Sequence, residues 1–220
     1  MATPKIIIFA QGGTHGDFLH SCGLLMLDGK KSTIDTSGRV FGNSTSKSKN
    51  LESYYKGKKT IFSIESDSQI EIYHIWQEEF KKIKGKFYYI SYDESQIDVI
   101  KKMFLTKVHY NDLNNAMEGI KKYLPNSLAR KISKDNFDKI LTLFYKNTIK
   151  KYKQQPGIKP IKITDLYNFD SLVLILKNMG ILNVNKLEDL KKFYSEWQSK
   201  NRQYIKKMLI IENSVSKKNK

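Results

Sequence analysis

Arginine, cysteine and proline are scarce in this 220-residue chain, and no apolar stretch approaches the length needed to cross a bilayer. Cys22 is the only cysteine, so no internal disulfide can form, and its setting among Leu19, Leu24 and Leu25 reads as a buried structural thiol. Arg39, Arg130 and Arg202 are the only arginines, leaving 36 of 39 basic residues as lysine. Sequence-specific reading of nucleic acid leans on arginine's planar fork, so that scarcity argues against it. The four histidines are widely spaced, with neither an HExxH pair nor paired cysteines, and the carboxylates form no EF-hand pattern. No GxSxG elbow is present, which leaves triad chemistry unsupported. The N-terminus lacks a basic region followed by an apolar core, so the chain reads as cytoplasmic, with delivery elsewhere by an unrecognised signal left open.

What is abundant is lysine, with a formal net charge of +17. The lysines are scattered through every segment and commonly fall on the polar sides of helices, which reads as a solvated basic surface favourable to anions. Hydrophobic residues make up 40 % and aromatics 12 %, enough to build a real core. We expect one domain over residues 1–220, with a sheet-forming part over 1–110 and a mainly helical part over 111–213.

The most informative stretch runs from Lys5 to Leu27, as KIIIFA, QGGTHG and DFLHSCGLLML. Ile6 to Phe9 form the continuous apolar run of a strand buried on both faces, and Gly12, Gly13 and Gly16 let the backbone turn into a helix. The first amides of such a helix, with the positive end of its dipole, favour an anion. A full Walker motif would place glycine at Gln11, lysine at Asp17 and serine or threonine at Phe18, and all three are absent, which demotes ATP hydrolysis. The dinucleotide fingerprint does not fit either. Asp17 reads as a helix-start residue.

Residues 28–60 read as a long polar loop. Ile70 to Ile75 and Phe87 to Tyr92 read as strands, separated by a short helix in EEFKKIKG, and Ser95 to Val108 shows helical spacing. That alternation predicts an α/β protein with a three-layer parallel sheet, a P-loop-like first βα turn and a helical C-terminal part. Ligand is expected beyond the carboxyl ends of the strands, where Gly12 to Gly16, His74 and Ser91 to Ser95 converge. In the C-terminal half, Phe137, Ile140, Leu141, Phe144 and Thr148 trace one helix face, which ends before Gln154. A short extended piece follows at IKITDLY, then helices over Phe169 to Met179 and from Leu187 onward, with Asn185 and Glu188 as a capping pair. The final SVSKKNK reads as frayed.

These pieces resemble the P-loop sulfotransferases, particularly the divergent small bacterial and phage-type members. GGTHGDFL looks like the loop that holds the 5′-phosphosulfate of PAPS (3′-phosphoadenosine 5′-phosphosulfate). IEIYHI with KGKFYYISYDESQIDVIKKMFLTKV is similar to that family's central strands and adjoining helix, and KITDLYNFDSLVLILKNMGI with LEDLKKFYSEWQSKN to its C-terminal segment. The resemblance implies a PAPS-dependent sulfotransferase acting on a hydroxyl or amine. It implies that Gly12, Gly13, Thr14, His15, Gly16, Asp17 and Phe18 hold the 5′-phosphosulfate and that Ser91 and Ser95 face the 3′-phosphate. The family commonly places an arginine there, whereas this segment has Lys101 and Lys102 instead. Among the histidines, His74 at a strand end is the first choice as base and His15 the second; His20 reads as a core-edge residue bonded to backbone, and His109 as a loop residue. A nucleotide-dependent small-molecule kinase is one alternative. A non-catalytic basic protein binding nucleic acid or another anionic partner is the other.

Overall fold

The computed structural model describes residues 5–41, 69–73, 84–108, 111–121, 124 and 126–218. Strand β1 (Lys5–Phe9) leads through the glycine turn into helix α1 (Gly16–Asp28). Where a single loop is expected after it, a small antiparallel hairpin appears, β2 (Thr33–Ile34) with β3 (Val40–Phe41); Asp35 holds its turn by accepting from the amides of Ser37 and Arg39. The rest of the expected loop, and the short helix expected in EEFKKIKG, fall outside the described residues.

Strands β4 (Ile70–Tyr73) and β5 (Gly85–Ser91) flank β1, and a fourth strand, β6 (Ile158–Lys162), extends the sheet beyond β5. All pairings are parallel, in the order β4-β1-β5-β6. The helical half thus donates a strand, which its short length and the charges of Lys159 and Lys162 conceal in sequence. The order reverses direction between β1 and β5, the switch point of a doubly wound sheet.

Side chains alternate across this sheet as the pleat requires. Ile6, Ile8, Ile70, Tyr88, Ile90 and Ile161 face the main core. On the opposite face, Ile7, Phe9, Tyr89 and Ile158 pack with Tyr152 of α5 (Phe137–Lys153), whose ring lies 5.4 Å from that of Phe9. Helix α5 begins and ends where its spacing predicts, but the buried stripe is Phe137, Leu141, Tyr145, Ile149 and Tyr152, so Tyr145 replaces Phe144 on the inward side.

Between β5 and α5, a 3₁₀ turn (Glu94–Gln96) opens α2 (Ile97–Met103), which widens into a π turn over Phe104–Val108 before α3 (Leu113–Lys121) and the short α4 (Asn126–Ala129). After β6 come a 3₁₀ turn (Ile163–Tyr167), α6 (Phe169–Met179) and the long α7 (Leu187–Lys218). Asn168 caps α6 by accepting from the Ser171 amide. Before α7 the capping side chain is that of Asn183, which accepts from the Asn185 amide, and not the expected Asn185. Helix α7 also runs through the segment expected to fray, to Lys218. It crosses the carboxyl end of the sheet, packing on α1, α2 and the turn after β6. No described helix is long and apolar enough to cross a membrane.

Candidate functional site

The functional region begins where β1 ends. Gly13 takes φ +84°, and His15 follows in the left-handed region at φ 61°, ψ 24°, a conformation that costs a side-chain-bearing residue energy and clusters at functional sites. His15 is the N-cap of α1, yet its side chain makes no capping bond; the first helical bond runs from the Leu19 amide to the His15 carbonyl. By helix geometry the amides of Gly16, Asp17 and Phe18 have no intrahelical acceptor.

The turn itself is tightly occupied. A side chain at Gly12 would collide with the Phe104 ring, and one at Gly13 would lie 2.5 Å from the Ile100 carbonyl oxygen. At Gly16, Ala10 and Ile72 leave no room for a methyl. Tyr145 donates to the Gly12 carbonyl at 2.6 Å, and the Thr14 hydroxyl to the Gln11 carbonyl at 2.6 Å. These glycines therefore let α2 and its π turn seat directly against the end of β1. Phe104 and Tyr145 thus press on the glycine turn, and Tyr92 donates in turn to the Tyr145 carbonyl at 3.3 Å.

The predicted residues separate accordingly. Thr14, Gly16 and Phe18 are buried, and the Phe18 ring stacks on Trp197 of α7 with centroids 3.8 Å apart. Asp17 is partly exposed in the first turn of α1. Ser91, at the end of β5, lines a polar cleft of about 430 Å³ with Tyr92, Asp93, Gln96, Lys162 and Thr164, whereas Ser95 is exposed on the 3₁₀ turn and is not among its lining residues. His74 and His109 lie outside the described residues. His20 is bonded to the Ile70 carbonyl at 3.1 Å, as its position in an apolar helix suggests. Cys22 is fully buried, and burial pushes its thiol well above the ordinary value, which makes it a poor nucleophile.

Among the described residues of the predicted site, His15 contributes a polar atom to a second group that spacing does not reveal. Its ring meets Trp197 edge-on at 4.9 Å and Tyr167 at 5.7 Å. Burial first, then the charge of Lys107, hold its pKa well below the ordinary histidine value, so the ring is neutral at neutral pH. Lys107 comes from the π turn and is 4 % exposed; its ammonium sits 4.8 Å from the centre of the Tyr204 ring. Burial lowers its pKa to about 8, against the opposing influence of Asp35.

Among the described residues, His15 Nε2, Lys107 Nζ, Tyr167 OH, Trp197 Nε1 and Asn201 Oδ1 are all buried without a hydrogen-bond partner. Such groups are few in native proteins, and each calls for a physical reason. Here four elements contribute to one connected set: the start of α1, the π turn, the turn after β6 and one face of α7. Asn201 is tied to it through its bonds to the carbonyls of Trp197 at 2.8 Å and Gly38 at 3.0 Å. Chemically, the set offers an ammonium, an indole N–H, a phenol, a neutral imidazole and one acceptor, the Asn201 amide oxygen.

Nearby Lys101 shows the contrast. It is also buried, but its ammonium reaches Asp138 at 2.7 Å, Asp98 at 2.9 Å and Thr142 at 2.9 Å. A lysine expected to face a phosphate is thus engaged within the protein, while Lys107 in the same segment has no hydrogen-bond acceptor. Comparison of the chain with protein-family models, with curated proteins and with solved structures finds no match.

Proposed function

We propose that the protein is a group transferase of the sulfotransferase-like kind, taking PAPS as donor and a hydroxyl or amine of a small molecule or glycan as acceptor. The observation that carries this reading is the β1–α1 junction. There a helix of 13 residues starts at the carboxyl end of a parallel strand with no side-chain cap, beside a partly exposed and neutral histidine. A helix start of that kind stabilises an anion, and a neutral imidazole can take the acceptor's proton as the sulfuryl group moves. In this reading the donor's anion lies at the first turn of α1 and beside His15, since Gly12 and Gly13 are packed against Phe104 and Ile100. The polar cleft beside Ser91, beyond the ends of β5 and β6, is room for the rest of a substrate.

Calorimetry with PAPS and with adenosine 3′,5′-bisphosphate tests the reading, with saturable binding of both expected. No heat from either at sub-millimolar concentration retires it. Heat from ATP with magnesium and none from PAPS moves the protein to the kinase class. Binding only to nucleic acid, falling steeply with salt, moves it to the basic binding class.

A further inference from the structure

We propose that Lys107, Tyr167, Trp197 and His15 form a buried oxyanion site that holds a phosphate or sulfate group. The inference rests on reading the β1–α1 junction as an anion site. It adds the cation and the side-chain donors, which sequence places far apart.

The argument starts from cost. An ammonium removed from water requires an anion or acceptors in exchange, and Lys107 has only the face of Tyr204 and the more distant Asp35. Asp35 already accepts from the Ser37 hydroxyl at 2.6 Å, besides the two amides that shape its turn. Glu212, whose charge is felt at Tyr167, accepts from the Thr164 hydroxyl at 2.9 Å. Neither carboxylate bonds the ammonium, whereas nearby Lys101 finds acceptors on its own helix and on α5.

Chemistry then selects the guest. The indole N–H only donates, the ammonium only donates, and the phenol and imidazole can each donate. With four groups able to donate against the single Asn201 acceptor, and one positive charge, the set suits a compact anion with several oxygens. A metal ion would find one imidazole and an ammonium to repel it. The helix α1 start adds partial positive charge from the same side, because His15 is both its N-cap and a member of the set. Lys107 also lies on a π turn, a distortion that often marks functional positions.

The test uses the full chain and inorganic phosphate and sulfate, each against chloride at matched ionic strength, read by calorimetry and thermal shift. Saturable binding of phosphate or sulfate is expected, weakened at least tenfold in Lys107→Met and unchanged in Lys150→Met, which removes an exposed lysine of α5. Should Lys107→Met not fold, Tyr167→Phe and the Trp197 emission of a Trp76→Phe variant carry the test, with weaker binding and an anion-dependent spectral change expected. No saturable response in the native chain, or binding in Lys107→Met within twofold of native, overturns the site. PAPS binding that Lys107→Met leaves untouched also overturns it while the donor reading stands. Phosphate binding that depends on Lys107, without any response to PAPS or adenosine 3′,5′-bisphosphate, supports the site and removes that donor.

Discussion

Replacing Lys107 by methionine should stabilise the protein in the absence of anions, a counterintuitive sign for a buried side chain. The shift of its pKa from the ordinary lysine value to about 8 corresponds to about 3 kcal/mol spent on keeping the ammonium charged at pH 7. Methionine matches the unbranched stem and removes that cost, at the loss of about 1 kcal/mol of attraction to the Tyr204 ring. The net expectation is a gain of about 2 kcal/mol, or roughly 4–8 °C in Tm for a domain of this size. The gain should depend on pH in a defined direction. Between about pH 8 and the ordinary lysine value the unfolded chain binds more protons than the folded one, so native stability rises with pH there and the advantage of methionine shrinks. Urea unfolding at pH 7 and at pH 9.5 measures both effects. Loss of more than about 1 kcal/mol in Lys107→Met at pH 7 would refute the reasoning, because it would mean that the ammonium has strong internal partners.

Three further outcomes are expected. Lys101→Met should have the opposite sign, losing about 1–2 kcal/mol in the same urea assay, because its bonds to Asp98 and Asp138 disappear while those exposed carboxylates stay hydrated. Gly13→Ala should cost about 2–4 kcal/mol, since its φ of +84° strains any side chain and the new methyl meets the Ile100 carbonyl; calorimetric unfolding within 1 kcal/mol of native would contradict the packing described. His15→Asn keeps a residue tolerant of the left-handed backbone but removes an imidazole that stays neutral when folded. Below its ordinary pKa the unfolded chain takes up a proton that the folded one does not, so native stability falls with acidification and the variant's should fall less between pH 6.5 and 5.

Much of the fold was legible because it rests on local signals. Ile6 to Phe9 announced a doubly buried strand, α5 and α6 ended where their spacing stopped, and His20 and Cys22 proved to be core residues. The extended piece expected at IKITDLY is displaced: β6 starts earlier, at Ile158, where Lys159, Pro160 and Lys162 interrupt its apolar content, and Ile163–Tyr167 is a 3₁₀ turn; the strand's place comes from pairing with β5 across some seventy residues of chain. The glycines were legible as a sharp turn, but their use was not. What presses on Gly12 and Gly13 is the Phe104 turn, a long-range contact without a local signature. The same holds for the buried polar set. In sequence Lys107 is one lysine among many, and no spacing ties it to Tyr167 or Trp197. Only the packing of α7 on α1, α2 and the turn after β6 gathers these residues into one cluster.

The most direct measurement is the titration of the Lys107 ammonium by nitrogen and carbon NMR, with and without phosphate or sulfate. Without either anion its pKa should lie about 8, and a saturating anion should raise it, because an opposite charge at contact favours the charged form. A pKa at the ordinary lysine value in both conditions, with no response to either anion, would contradict a buried cation waiting for its oxyanion.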